Sequence, residues 1–263
     1  MQRKVYAHMT SVTIRNITLG EGVPKICVPL SETDCGNLLR EASSLDSQPV
    51  DMVEWRADWY GDIQKPGCLK TVLPRLRKAI GEIPLLFTFR TLKEGGNLNV
   101  STSFYVSLLE EAICSGWIDA VDIELFSDAG VAKRLTDLSH KRQVKVILSN
   151  HDFISTPCQE ELIKRLHSME ALGADIAKLA VMPEKAEDVL TLLSATLQAG
   201  KSLSCPVVTM SMKGTGLISR LSGEIFGSCL TFGSTGKASA PGQIYVGELK
   251  EILDIIHKNQ LPS

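Results

Sequence analysis

One lysine stands in the middle of an otherwise apolar run, Ala174-Asp175-Ile176-Ala177-Lys178-Leu179-Ala180-Val181-Met182-Pro183. The run has the length and composition of a buried strand. Period-two alternation puts Ile176, Lys178, Ala180 and Met182 on one face and Ala177, Leu179 and Val181 on the other. Burying an isolated ammonium is costly, so two readings stand. Either the tip of Lys178 reaches a strand end and pairs with a carboxylate, or the side chain sits in a shaped pocket. There a neutral amine is a nucleophile suited to forming a Schiff base with a ketone or aldehyde.

Other residue types with chemical capacity gather at comparable places in the chain. Arg56 and Arg90 end the apolar runs Asp51–Arg56 and Pro84–Arg90, and Glu94 follows the second by four residues. His151 lies just past Val144–Ser149, and of the five histidines it alone falls at a strand end, which suits a general acid/base. Glu94 is placed to orient its ring, as acidic partners do in catalytic pairs. Glu54 shares a strand face with Arg56, and Asp122 shares one with Glu124. If the opposite faces pack on helices, these carboxylates point inward and need cations, which Lys178, Arg56 and Arg90 can supply. A structural ion-pair network and a functional role are equally open for Asp122 and Glu124.

Two glycine-rich stretches invite a nucleotide reading and fail it. In Gly214-Thr215-Gly216-Leu217-Ile218-Ser219 a serine replaces the third glycine, and no acidic residue follows at ribose spacing. Gly233-Ser234-Thr235-Gly236-Lys237 lacks the four-residue gap of a phosphate-binding loop. Arg220 lies one turn beyond the first stretch, so this corner is expected to hold a substrate carboxylate beside a helix N-terminus. Ser239 to Gln243 form a polar, glycine-flanked loop able to close over a site. No H-E-x-x-H, H-x-H or clustered Cys/His occurs, so neither metal nor cofactor is expected.

These residues need a scaffold that brings distant strand ends together. Eight strand-like runs alternate with helical patterns, and 263 residues suit an eightfold β/α barrel. In that fold chemistry sits at the strands' C-terminal ends, where Arg56, Arg90, Glu94 and His151 fall. An open doubly wound sheet competes, but it needs a nucleotide signature at its switch point. The short hairpin Val12–Arg15 and Ile17–Leu19 has no place in the βα rhythm and is expected to cover the barrel's N-terminal mouth. Residues 1–10 are expected to be an extension without a role in the fold, and 11–263 a single barrel domain. The chain is 44% apolar and 22% charged with net charge −2, which argues against a nucleic-acid partner. No apolar run reaches the roughly 18 residues of a membrane span and no signal peptide is evident, so no membrane partner is expected. Seven cysteines without a C-x-x-C pair suit reduced thiols in the cytoplasm.

The chain resembles the type I 3-dehydroquinate dehydratase family, the metal-free, Schiff-base enzymes of the shikimate pathway. The resemblance rests on Gly20-Glu21-Gly22, Glu54-Trp55-Arg56, Leu86-Phe87-Thr88-Phe89-Arg90, Glu94-Gly95-Gly96, Ser149-Asn150-His151-Asp152-Phe153, Gly173–Lys178, Ala180–Pro183, Ile218–Leu221 and Ala238–Ile244, in that order. It implies that Lys178 forms an imine with the C3 ketone of 3-dehydroquinate. It further implies that His151 takes the C2 proton and returns it to the departing C1 hydroxyl, a syn elimination giving 3-dehydroshikimate, with Glu94 as the histidine's partner. Arg220 would hold the substrate carboxylate, and Glu54, Arg56, Arg90, Ser239 and Gln243 its hydroxyls, with Met210 and Met212 as pocket walls. The resemblance also implies a homodimer. Pro29 and Ala177 depart from the family pattern, where a serine and a proline are usual. A Schiff-base barrel lyase of the aldolase type and a non-catalytic metabolite-binding barrel are the alternatives.

Overall fold

In the computed structural model, residues 10–125, 130–236 and 242–260 are described. The chain opens with an antiparallel hairpin, β1 (Val12–Ile14) and β2 (Ile17–Leu19). Parallel strands and helices then alternate: β3 (Lys25–Leu30), α1 (Cys35–Ser44), β4 (Met52–Arg56), α2 (Cys68–Ile80), β5 (Leu85–Thr88), α3 (Thr102–Cys114), β6 (Ala120–Glu124) and α4 (Val131–Lys141). They continue with β7 (Lys145–Asp152), α5 (Gln159–Ala171), β8 (Ile176–Val181), α6 (Ala186–Ser202), β9 (Val207–Ser211), α7 (Leu217–Leu221), α8 (Gly223–Phe226), β10 (Leu230–Ser234), β11 (Ile244–Tyr245) and α9 (Val246–Gln260).

Strands β3 to β9 pair in sequence order, and β10 pairs with β3. The remaining seam is closed by a parallel bridge between Val207 and Ser228, with the Cys229 amide donating to the Val207 carbonyl at 2.9 Å. The result is the eightfold β/α barrel that the alternation predicts. Strand periodicity sorts the apolar side chains into two cores. Val53, Trp55, Phe87, Val121, Ile123, Val146, Leu148, Ala177, Leu179 and Val181 face the helices. Met52, Leu86, Ala120, Ile147, Ile176 and Val208 fill the lower barrel interior.

The hairpin belongs to that inner core. Val12, Ile14 and Leu19 pack with the lower layer, so β1 and β2 cover the N-terminal mouth. Arg15 at its tip has φ +55°, an uncommon conformation for a residue with a side chain. Its guanidinium reaches Glu82 at 2.9 Å and Asp119 at 3.0 Å on the barrel floor, which ties the hairpin down.

Two details differ from the sequence expectation. β7 does not end at Ser149 but runs to Asp152, because Asn150, His151 and Asp152 pair with Leu179, Ala180 and Val181. The two-residue β11, beside β10, is too short to leave a periodic signal.

Candidate active site

Above the apolar layer the barrel interior turns polar. Glu54, Thr88, Asp122, Ser149 and Lys178 project inward from β4, β5, β6, β7 and β8 and are all buried. Lys178 is only 3% exposed. Its Nζ lies 3.2 Å from Asp122 Oδ2, 3.6 Å from Glu54 and 4.7 Å from the centre of the Phe232 ring. The two readings of this lysine thus merge: it is paired with carboxylates, and the pairing takes place inside the barrel instead of at a solvated strand end. The alternation that put Lys178 with Ile176 and Ala180, opposite Ala177, Leu179 and Val181, holds in the two cores.

Asp122 is shared between two cations. Oδ1 accepts from Arg90 Nη2 at 2.8 Å and from the Ser149 hydroxyl at 2.6 Å, while Oδ2 faces Lys178. Burial alone would raise the Asp122 pKa, but the charges of Arg90 and Lys178 and the Ser149 hydroxyl hold it below the usual value. Arg90 is also buried. Desolvation works against its charge, yet Asp122, Glu124 and Glu94 together keep it more firmly protonated than a free guanidinium.

His151 stands two residues beyond Ser149 on β7, opposite Ala180, so it projects from the same face as Lys178, about 7 Å higher along the barrel. Its Nδ1 and Glu94 Oε2 are 3.0 Å apart, and its own backbone amide donates to the same oxygen at 2.9 Å. A carboxylate at Nδ1 selects the tautomer with hydrogen there, which leaves Nε2 as the acceptor. Burial, with Arg90, Lys178 and Arg56 nearby, pushes the imidazole pKa well below its ordinary value. Burial likewise pushes Glu94 up to about 7, against the pull of Arg90. The imidazole is therefore a neutral base at neutral pH.

The turn that carries Glu94, Leu92–Glu94, is built on close backbone contacts. Thr91 carbonyl oxygen accepts from the Glu94 and Gly96 amides, and Glu124 holds Thr91 through both its amide and its hydroxyl at 2.8 Å. A Cβ on Gly96 would lie 1.9 Å from the Arg90 carbonyl oxygen, and one on Gly95 (φ +80°) would lie 2.3 Å from the Phe153 ring. The Glu94-Gly95-Gly96 sequence is thus a steric requirement of this turn.

Arg220, on α7, is buried, and burial pushes its pKa down to about 10. One of its nitrogens is 3.8 Å from the Met210 sulfur. Arg56 is held in a two-point pair by the fully buried Asp58, with both contacts at 2.9 Å. A pocket of about 770 Å³, its open mouth included, is lined by Glu54, Arg56, Arg90, Glu94, His151, Lys178, Met210, Met212, Arg220 and Gln243. Every residue to which the resemblance gives a role lines it except Ser239, which lies outside the described residues; Asp122 and Glu124 do not line it and lie beneath it, paired with Lys178 and Arg90. Pro29 and Ala177 are buried on β3 and β8 and do not line it. No grouping of His, Cys, Asp and Glu suited to a metal occurs among the described residues.

The chain matches the type I 3-dehydroquinase family over residues 26–260.

It belongs to that family.

The 3-dehydroquinate dehydratase of Listeria welshimeri is 51% identical over 250 residues, covering 95% of this chain and 99% of the relative. That of Clostridium novyi is 49% identical over the same coverage. Among solved structures, the type I enzyme from Clostridium difficile, crystallised with covalently modified comenic acid, superposes with TM-score 0.92 at 46% identity, covering 95% of this chain and 98% of that one. The Geobacillus kaustophilus enzyme gives TM-score 0.93 at 38% identity, covering 96% and 98%. The type I 3-dehydroquinase fold therefore extends over nearly the whole chain. Within it, sequence reasoning missed Asp58, Thr88, Thr91, Ser149 and Phe232. Serines, threonines and a lone phenylalanine carry no signal of their own, and only closure of the sheet brings them to the charged residues.

Proposed function

We infer that this chain is a lyase that removes water from 3-dehydroquinate to give 3-dehydroshikimate in the shikimate pathway, with Lys178 as nucleophile and His151 as general acid/base. The observation that carries the assignment of roles is the pairing of a buried, carboxylate-flanked amine with a neutral imidazole on the next strand of one pocket. Condensation of a lysine ammonium with the C3 ketone conserves charge. Nitrogen keeps one positive charge as it becomes an iminium, and the ketone oxygen leaves as water. Asp122 and Glu54, which pair with Nζ, are thus placed to stabilise the iminium as well.

The iminium withdraws electrons from C2, and His151 Nε2 takes a proton there to leave an enamine. The enamine electron pair returns to expel the C1 hydroxyl, which leaves as water with the proton that His151 carried. One imidazole serving both steps acts from one face of the ring, so the elimination is syn. Hydrolysis of the conjugated iminium frees Lys178 and the product. Arg220 is the cation for the substrate carboxylate, which would offset the burial that weakens its charge. Glu54, Arg56, Arg90 and Gln243 are placed to bind the ring hydroxyls, and Met210 and Met212 to shape the walls. Ser239 is assigned to the closing loop on its sequence position alone.

The proposal takes residues 11–263 as one barrel domain that works in the cytoplasm, in keeping with its free cysteines. No helix among the described residues is long and apolar enough to cross a membrane. It also takes the enzyme as a pair of identical chains, an assembly that would cover apolar side chains left on one outer helix face. Steady-state dehydration, followed by the absorbance of the conjugated product, tests the roles. Lys178→Ala is expected to lose turnover by more than about a thousandfold while the barrel stays folded, and wild-type rates would contradict the covalent route.

A further inference from the structure

The pocket poses a problem of orientation. Three arginines line it, Arg56, Arg90 and Arg220, and a guanidinium readily binds a carboxylate through two parallel hydrogen bonds. A ring acid with one carboxylate could therefore dock in several ways, and only one of them brings its ketone to Lys178. Neighbouring carboxylates decide among the arginines. Both terminal nitrogens of Arg90 are already bonded, Nη2 to Asp122 at 2.8 Å and Nη1 to Ser149 at 3.0 Å and Glu124 at 3.2 Å.

Arg56 is governed by Asp58, on the single turn Ala57–Trp59 that follows β4. Asp58 is fully buried and does not line the pocket, so it acts on a bound molecule only through what it holds. Oδ1 accepts from Arg56 Nε and Oδ2 from Arg56 Nη2, both at 2.9 Å, which fills one two-point edge of the guanidinium. The same oxygens accept the backbone amides of Arg90 at 3.3 Å and Asn97 at 3.2 Å, so the carboxylate is fixed from three segments. Arg56 Nη1 has no hydrogen-bond partner among the described residues and remains a donor for a hydroxyl. A second carboxylate on the outer edge would have to share one cation with Asp58, with Glu54 also acting on Arg56. Like charges repel strongly where water is scarce.

We propose that Asp58 is a specificity-determining positioning residue. By holding and neutralising the Arg56 guanidinium, it makes Arg56 a donor to hydroxyls, rejects a carboxylate there and directs the acid group of the substrate to Arg220. The inference rests on the reading of Arg220 as the carboxylate site. It assigns a task to a side chain that never touches the substrate.

Calorimetric titration of the full chain with cyclohexanecarboxylate, a ring acid without hydroxyls or ketone, tests it. Arg220→Gln is expected to weaken binding by more than about tenfold, the worth of a charge-assisted pair. Asp58→Asn added to Arg220→Gln should recover that loss, because the uncompensated Arg56 then takes the acid. Arg56→Gln as a third exchange should abolish the recovery. In the Asp58→Asn single variant, 3-dehydroquinate should dock partly with its acid on Arg56, out of reach of Lys178. Its kcat and KM should then fall together, whereas a merely loosened site would raise KM. Absence of recovery in a folded Asp58→Asn/Arg220→Gln protein, or a raised KM with unchanged kcat in the single variant, would overturn the assignment. Arg220→Gln decides the matter even if Asp58→Asn does not fold. If it binds the acid undiminished and Arg56→Gln removes that binding, Arg56 accepts carboxylates with Asp58 in place, and the assignment is overturned. Undiminished affinity in both Arg220→Gln and Arg56→Gln would reject the Arg220 reading itself, and the inference with it.

Discussion

At the residue scale the account turns on how Glu94 and His151 share one proton-handling task. Burial disfavours charge on both, so the carboxyl is raised to about 7 and the imidazole lowered well below its usual value. As pH falls through about 7, Glu94 takes up a proton and ceases to fix the Nδ1–H tautomer. A pH profile of kcat/KM should therefore show an acid limb near 7 that belongs to the pair. Glu94→Gln should move that limb to lower pH and reduce kcat by about tenfold, since the remaining titration is that of an imidazole already depressed. An unmoved limb would show that Glu94 plays no part in it. His151→Ala should lower turnover by about 10²–10⁴-fold without preventing imine formation. Unchanged kinetics would dismiss its role as base. The linkage signs of the two groups oppose. A raised Glu94 contributes stability below about 4.5 that is lost as pH rises through 7. A depressed His151 contributes stability above its unfolded value of 6.5 that is lost as pH falls. Between these limits the two act in opposite directions on stability, while the rate depends on both groups being in their working protonation states. Lys178 and His151 were legible in the sequence because each is a reactive type in a position where its bland role is costly. Thr88 and Ser149 were not, because a hydroxyl in a strand is unremarkable until Glu54 and Asp122 are seen beside it.

At the element scale, the turn after β5 decides whether Glu94 reaches His151. Glu124 grips Thr91 at the start of that turn, and the Glu124 amide is bonded in its own turn to the buried Tyr105 hydroxyl at 3.0 Å on α3. Thr91→Val keeps the backbone contact and removes the hydroxyl. It should cost about 1 kcal/mol of stability and lower kcat more than it changes KM. A change in KM alone would mean that the turn positions substrate and not the base pair. Gly96→Ala should be more severe, since its Cβ would force the Arg90 carbonyl to move. Element order was readable from hydrophobic periodicity, and so was the hairpin's exclusion from the βα rhythm. The end of β7 was not. Asn150-His151-Asp152 has the polarity of a loop, and only pairing with β8 keeps it extended. That error matters little for identity, because one residue type at a strand end or in its last turn serves the same chemistry. It matters for geometry, because a strand holds the imidazole more firmly than a loop would.

At the scale of the whole molecule, the barrel separates stability from chemistry along its axis. The hairpin and the lower apolar layer close one mouth, and the charged layer and pocket occupy the other. Ile14→Ala should therefore cost about 2–5 kcal/mol in a denaturant titration, while the rate per folded molecule stays unchanged. A fall in that rate would show that the two mouths are coupled. Sequence could supply the barrel class and most of the pocket's inventory. It could not show that ten residues from separate strands and loops share one cavity, which is a property of closure. The central claim is that this closure creates a covalent site at Lys178. The direct measurement is borohydride reduction of the enzyme in the presence of 3-dehydroquinate, followed by peptide mass mapping. The account predicts a stable adduct on the peptide containing Lys178 and on no other lysine. An unmodified Lys178 under conditions of full turnover would contradict it.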